Sequence, residues 1–262
     1  MHERYKNRLL YFNEQAFTTE KFVIPYINPF KKVDAQTRIL EIGCGEGGNM
    51  KPFLDIGCEI IGIDIDAKQI ENAKSFLEEQ STNQNYQLIA RDIYLVDTNE
   101  IGQFDVIYMR DVIEHIPNQE KFLAHLQQFL KPDGVIFFGF PPWYMPFGGH
   151  QQSCNSKVIS KLPFIHILPR FIYTFLLKTF GVTENGIKAL LEIKDTGISI
   201  ERFKRIVRKN KYKILDETMF LINPNYEIKF GLKTRKQFWL LTKIPFFRNF
   251  VTTCCYYVIG KA

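Results

Sequence analysis

Between residues 36 and 140, short apolar runs alternate with stretches whose apolar residues recur every three or four positions. The runs are 37–42, 59–64, 86–90, 104–109 and 134–140, each of strand length and rich in branched or aromatic residues. Lys68 to Glu79 shows the helical spacing that separates them. Nearly continuous apolar strands are buried on both faces, and strand–helix alternation makes them parallel, with helices covering both sides of one sheet. Ligands bind such sheets beyond the carboxyl ends of the strands.

Outside this region the pattern changes. Residues 1–35 read as a helical lead-in, with Tyr11, Phe12, Phe17, Phe22, Val23 and Tyr26 at mixed spacing and Pro25 and Pro29 near its end. After Phe140 the run from Pro141 to His150 is too rich in proline and glycine for regular structure. Helices are predicted over Asn155 to Lys161 and Arg170 to Phe180. Ser199 is a plausible N-cap for a basic helix, followed by a strand over Tyr212 to Asp216 and a last strand over Val251 to Ile259. The predicted core is therefore 36–140 with 198–262. It is interrupted by a cap insertion at 141–197 and a second insertion at 222–250, both rich in aromatic residues. There is no internal repeat and no low-complexity segment.

The first strand runs into Gly43-Cys44-Gly45-Glu46-Gly47-Gly48, in which Gly43, Gly45 and Gly48 match G-x-G-x-x-G. Glycines permit positive φ and close approach of a ligand to the backbone, and a helix predicted from Gly48 to Gly57 turns its free N–H groups toward the loop. The second strand ends at Asp64, where a carboxylate can accept both hydroxyls of a ribose. Glu41, two residues before the first glycine, argues against a dinucleotide, since a carboxylate there repels a pyrophosphate. It suits a ligand with an ammonium group and a positive sulfur. Asp92, after the third strand, suits the exocyclic amine of adenine. Taken singly, Asp64 and Asp92 are also ordinary strand-end caps.

Here the chain resembles the class I S-adenosylmethionine-dependent methyltransferases, in their small-molecule, type 11-like branch. The resemblance rests on Glu41-Ile-Gly43-Cys-Gly45-Glu-Gly47, Gly62-Ile-Asp64, Arg91-Asp92-Ile93, Phe104-Asp105 through Asp111-Val-Ile-Glu114-His115, and Phe129-Leu-Lys-Pro-Asp-Gly134 leading into Val135-Ile-Phe-Phe138. It covers roughly 36–140. It implies a doubly wound, mostly parallel α/β sheet of seven strands, five parallel and then an antiparallel pair, carrying a helical and aromatic cap. It further implies that Glu41 with Gly43, Cys44 and Gly45 holds the methionine end of S-adenosylmethionine, Asp64 with Ile65 the ribose, and Asp92 with Ile93 the adenine. Met109, Arg110 and Asp111 are then expected beside the cofactor.

Methyl transfer from a sulfonium needs alignment, and a hydroxyl or amine acceptor also needs a proton sink. His115, His150 and Tyr144 are the candidates. On a helix start, Asp111, Glu114 and His115 share a face. That grouping is open to three readings: a base with its orienting carboxylate, a divalent-metal site, or a packing feature of the fold. The spacing is similar to that of ubiquinone-biosynthesis O-methyltransferases, which bind a metal and have Glu at the first position. Asp111 shortens that reach, and no metal ligand is assigned. His150 follows two glycines that would let the backbone approach a ligand. Tyr144 and Trp143 either line the acceptor site or bury the cap onto the sheet.

Composition narrows the partners. At 262 residues the chain is long enough for one sizeable core, and its net charge of +6 is a mild excess. The densest basic run, Arg202 to Lys213, lies on a helix with Phe203, Ile206 and Val207 on its other face and reads as a solvated surface, so no nucleic-acid partner is expected. The five cysteines lack zinc-site spacing and read as free thiols of a reducing compartment. With no signal-type N-terminus and no long apolar span, the expectation is a cytoplasmic monomer or homodimer. The apolar helix Phe171 to Leu177 stays open to three roles: packing on the second insertion, a dimer interface, or peripheral contact with a membrane beside a lipid-like acceptor. The expected function is methylation of a small, apolar acceptor at oxygen, nitrogen or carbon. The competing classes are an NAD-dependent oxidoreductase and a non-catalytic cofactor-binding module.

Overall fold

The computed structural model describes residues 7–262; the first six residues of the predicted lead-in lie outside that range. Eight strands form one sheet: β1 (Arg38–Ile42), β2 (Glu59–Asp64), β3 (Tyr86–Ala90), β4 (Phe104–Arg110), β5 (Leu130–Phe140), β6 (Tyr212–Ile222), β7 (Arg235–Lys236) and β8 (Cys254–Lys261). Their order is β3-β2-β1-β4-β5-β8-β6-β7. The first five run parallel, and β8 is antiparallel to both β5 and β6. This is the expected seven-stranded, doubly wound arrangement with β7 added at its edge. At two residues β7 is too short to show a period.

The helices are α1 (Arg8–Thr18), α2 (Ile24–Ile27), α3 (Met50–Ile56), α4 (Ala67–Gln80), α5 (Thr98–Ile101), α6 (Gln119–Leu126), α7 (Arg170–Thr179), α8 (Glu184–Thr196), α9 (Ile200–Lys209), α10 (Asn225–Phe230), α11 (Trp239–Thr242) and α12 (Phe247–Val251). Alternate strand residues feed two cores. Leu40, Ile42, Ile107 and Met109 pack with α6 and α9 on one face, whereas Ile39, Val106 and Tyr108 pack with α1 to α3 on the other. Between α1 and α2 the chain makes a π-helical turn, Thr19–Val23.

The cap carries its own small cluster, in which Tyr173 and Leu177 of α7 meet Ile187 and Leu190 of α8. The apolar helix therefore packs on α8, not on the second insertion, and Phe171 and Phe175 stay exposed. Helix α8, not among the helices predicted from the sequence, starts where Thr183 accepts a hydrogen bond from Gly186 N–H and turns Ile187 and Leu190 inward. The helix predicted at 155–161 is only a 3-10 turn over Ile159–Lys161. The last strand begins three residues later than predicted, at Cys254, because Phe247–Val251 coils into α12. Among the described residues no helix is long and apolar enough to cross a membrane. All five cysteines are buried and unbridged.

Candidate active site

The loop after β1 is built on the end of β2. Gly43 N–H and Cys44 N–H both donate to Ile63 O, at 2.8 and 3.1 Å. Gly43 has φ +70°, and a Cβ there would stand 2.6 Å from Val112 Cγ2, so only glycine fits. Asp64 ties the loop from the other side: its Oδ2 accepts Gly45 N–H at 2.9 Å and its Oδ1 accepts Asp66 N–H at 2.9 Å. Asp92 accepts Tyr94 N–H at 3.0 Å. Both acids thus cap their turns, and both also line a cavity of about 550 Å³ at the carboxyl ends of the strands. Gly43, Gly45, Ile65, Ile93, Arg110, Asp111 and His115 share that wall. Ile65 is 78 % exposed, an apolar side chain held in the open at the mouth of a cavity.

Two expected contributors lie elsewhere, and a third sits just behind the wall. Met109 is packed in the core below β4, because its position alternates away from the cavity. The Cys44 side chain turns into the opposite core, near Gly62. Glu41 is buried just short of the wall, which begins at Ile42. Asn49 Nδ2 donates to Glu41 Oε1 at 2.8 Å, while Oε2 has no hydrogen-bond partner. Burial pushes the Glu41 carboxyl up to about 8, against a smaller pull from Arg110. Arg110 is itself buried beside Tyr108, Asp111 and Tyr256. Its Nη1 donates to Thr19 Oγ1 at 3.4 Å, and its nearest acid is Asp111 at 3.9 Å. Thr19 in turn donates to Asn49 Oδ1 at 3.0 Å. A chain of polar groups thus runs from Glu41 through Asn49 and Thr19 to Arg110.

A second cavity, of about 310 Å³, adjoins the first and shares Tyr11, Asp111 and His115 with it. The cap contributes Met145, Phe147, His150 and Gln152; the second insertion contributes Asn223, Asn225, Tyr226, Lys229 and Phe230. The ring centroids of His115 and His150 are 5.0 Å apart. Donor atoms of Glu114, His115 and His150 all lie within 4.8 Å of one another. Asp111 is not in that group: it turns at φ +57° directly after β4, so the helical start expected to align 111, 114 and 115 does not form. Burial raises the Glu114 carboxyl well above its ordinary value, and both of its oxygens lack a hydrogen-bond partner. Burial also lowers both imidazoles, His150 to about 3, leaving them neutral. Burial of its surroundings pushes the Asp111 carboxyl up as well, and solvent weakens that push because the side chain keeps 45 % of its surface open.

Tyr144 is absent from both walls; its ring lies 5.4 Å from that of Phe250. Trp143 packs on His166 and against Gly197, burying the cap. The glycines before His150 serve that packing, since a Cβ at Gly148 would meet Trp143 O and one at Gly149 would meet His166, each at 2.2 Å. Tyr11, Gln15, Thr19 and Asn49 gave no motif signal because they come from two distant segments.

Residues 12–145 match the methyltransferase-domain family. The ubiquinone biosynthesis O-methyltransferase of Bartonella bacilliformis is 30% identical over 227 residues, spanning 86% of this chain and 77% of that protein. The enzyme of that name from Thiobacillus denitrificans is 29% identical over 177 residues, 66% of this chain and 73% of its own. Among solved structures, an S-adenosylmethionine-dependent methyltransferase from Clostridium acetobutylicum aligns with a TM-score of 0.58 at 13% identity, covering 94% of this chain and 91% of that one. Magnesium protoporphyrin IX methyltransferase from Synechocystis, with bound SAH, gives 0.56 at 13% identity, covering 95% and 84%. At such identities the structures speak for the fold, while the family match and the Bartonella relative set aside a dehydrogenase. A doubly wound sheet with a glycine turn and strand-end carboxylates around one cavity, matched over half its length, places the chain in the methyltransferase-domain family, the class I S-adenosylmethionine-dependent methyltransferases.

Proposed function

We propose that the larger cavity holds S-adenosylmethionine and the smaller one a small-molecule acceptor, with the methyl group passing between them at Asp111 and His115. The observation that carries this reading is the shared wall: both residues border both cavities. Asp92 and Ile93 take the adenine side and Asp64 and Ile65 the ribose. Arg110 suits the cofactor's carboxylate, because a buried guanidinium needs an anion and Asp111 stands 3.9 Å from it. The unpartnered oxygen of Glu41 suits the ammonium group. When bound, the cofactor supplies a methyl group on a positive sulfur, which leaves as a neutral thioether.

The chain's own residues align the partners and take the proton. The acceptor cavity mixes the aromatic side chains Phe147, Tyr226 and Phe230 with Asn223, Gln152 and Lys229, which fits a compact apolar body bearing polar substituents. A neutral imidazole at His115 or His150 accepts the proton from an O–H or N–H as its lone pair bonds to the methyl carbon. By this reading 141–197 and 222–250 share the acceptor site, and 36–140 with the rest of 198–262 is the cofactor-binding core.

A second reading of the same cluster is favoured by Glu114, whose two buried oxygens have no hydrogen-bond partner beside two neutral imidazoles. Glu114, His115 and His150 would hold a divalent cation. Such a cation would acidify an acceptor hydroxyl bound to it.

Isothermal titration tests the donor site. Asp64→Ala should weaken S-adenosylmethionine binding by roughly 10-fold or more, the range of a lost hydrogen bond to a charged group. Undiminished binding would remove the assignment. Activity that survives chelation but not His150→Ala would select the base over the cation.

A further inference from the structure

The second insertion leaves an apolar surface that none of the described residues covers. Phe238, Trp239 and Leu240 are 58, 63 and 48 % exposed, and Ile244, Phe246 and Phe247 are 46, 68 and 47 % exposed. Six large apolar side chains in ten consecutive residues exceed the scattered exposure of an ordinary surface. The charges along this segment are one-sided, and the acid packed against its tip, Glu201 of α9, is paired with Arg248. From Ile228 to Phe250 the chain has six Lys or Arg and no Asp or Glu. Lys233, Arg235, Lys236 and Lys243 are all exposed.

The tip of this segment is held in shape. Glu201 accepts Phe246 N–H at 2.9 Å, Arg248 Nε at 2.9 Å and Asn249 Nδ2 at 2.6 Å. Arg248 Nη1 also donates to Thr242 O at 3.0 Å. The bracing keeps Phe246 at φ +62°, a costly backbone for an aromatic residue, with its ring out in solvent. Collapse onto the core would relieve both the strain and the exposure; the loop is instead fixed outward.

We infer that residues 228–248 dock the protein onto an anionic lipid surface, with Trp239, Phe246 and Phe247 entering the headgroup boundary and the lysines meeting the phosphates. Aromatic residues at the interface and cations at headgroup level are what a bilayer surface takes up. A second copy of this face would bring like charges together. Helix α7, the other exposed aromatic face, differs: Arg170 pairs with Asp195 and its surroundings carry Glu184 and Glu192, so its charge is mixed. Lys229 and Phe230 begin the docking segment and also border the acceptor cavity. On the acceptor reading above, docking would turn that cavity toward the membrane; the docking itself does not depend on that reading.

The test uses the full chain with vesicles of phosphatidylcholine alone and of phosphatidylcholine with 30% phosphatidylglycerol, a mole fraction of roughly physiological order. In a Trp143→Phe background Trp239 is the only tryptophan, and its emission should shift to the blue with the anionic vesicles. Flotation should fall roughly 10-fold or more in Phe246→Asp/Phe247→Asp. It should also fall in Lys233→Glu/Lys236→Glu and at raised salt, and be unchanged in Phe171→Asp/Phe175→Asp. An unchanged thermal shift with S-adenosylhomocysteine shows that each variant is folded. The inference is overturned by absence of flotation or by flotation that the Phe246/Phe247 variant leaves intact. It is equally overturned by sedimentation showing a dimer that this variant dissolves.

Discussion

Glu41 carries the sharpest consequence at the scale of one residue. Its carboxyl is raised to about 8 in the folded protein from an ordinary value near 4.5. Between those values the unfolded chain has released a proton that the folded chain keeps, so without cofactor stability should fall as pH rises, by up to about 1.4 kcal/mol per unit from this group. Glu41→Gln should flatten that slope between pH 5 and 8, as urea denaturation would show. An ammonium group seated beside the carboxylate would expel the proton. Cofactor binding near pH 7 should therefore release protons, visible as a binding heat that depends on buffer ionisation, and the Gln variant should bind more weakly with no release. Gly43→Ala offers a purely steric test. Positive φ and a 2.6 Å clash with Val112 should cost about 1–3 kcal/mol of stability and weaken cofactor binding together. Tyr144→Phe should alter kcat/KM by less than about 3-fold, as its ring meets Phe250 outside both cavities.

At the scale of elements, the parallel strands and the glycine turn were legible because burial on two faces leaves uninterrupted apolar runs, and a strand-to-loop switch needs glycine where φ is positive. The acids at 64 and 92 were legible for the same reason: strand ends are places that sequence can mark. Met109 shows the limit. Strand alternation decides which side chains reach the cavity, and a shift of one residue sends Met109 below the sheet. The grouping of Asp111, Glu114 and His115 was drawn on helical spacing, but Asp111 sits at a left-handed turn, and His150 replaces it in the cluster. This makes a distinction measurable: His150→Ala should reduce turnover at least roughly 10-fold with little change in cofactor affinity, whereas Arg110→Ala should do the reverse. Initial rates and titration on the same two proteins check it.

At the scale of the whole molecule, the acceptor chamber was the least legible part. Its walls come from α1, the turn after β4, the cap, the α10 region and Thr253 before β8, five segments distant in sequence and united only by the fold. No periodicity connects Tyr11 to Tyr226, and the aromatic content that marked both insertions did not say that they meet over one chamber. The cap has a small core of its own, in which Tyr173, Leu177 and Leu190 are buried in one cluster, a local pattern that does not need the sheet.

Tyr11 belongs to the wall of both cavities. A side chain that two ligands touch makes their binding equilibria interdependent, and that interdependence is reciprocal. If an acceptor settles the ring so that the donor binds more tightly by some factor, the donor must tighten the acceptor by the same factor. Tyr11→Ala should therefore shrink the coupling measured in either direction by the same amount, even where the two separate affinities change unequally. A first helix that looked like a lead-in would then set how strongly the enzyme prefers to hold its two substrates together over holding either alone.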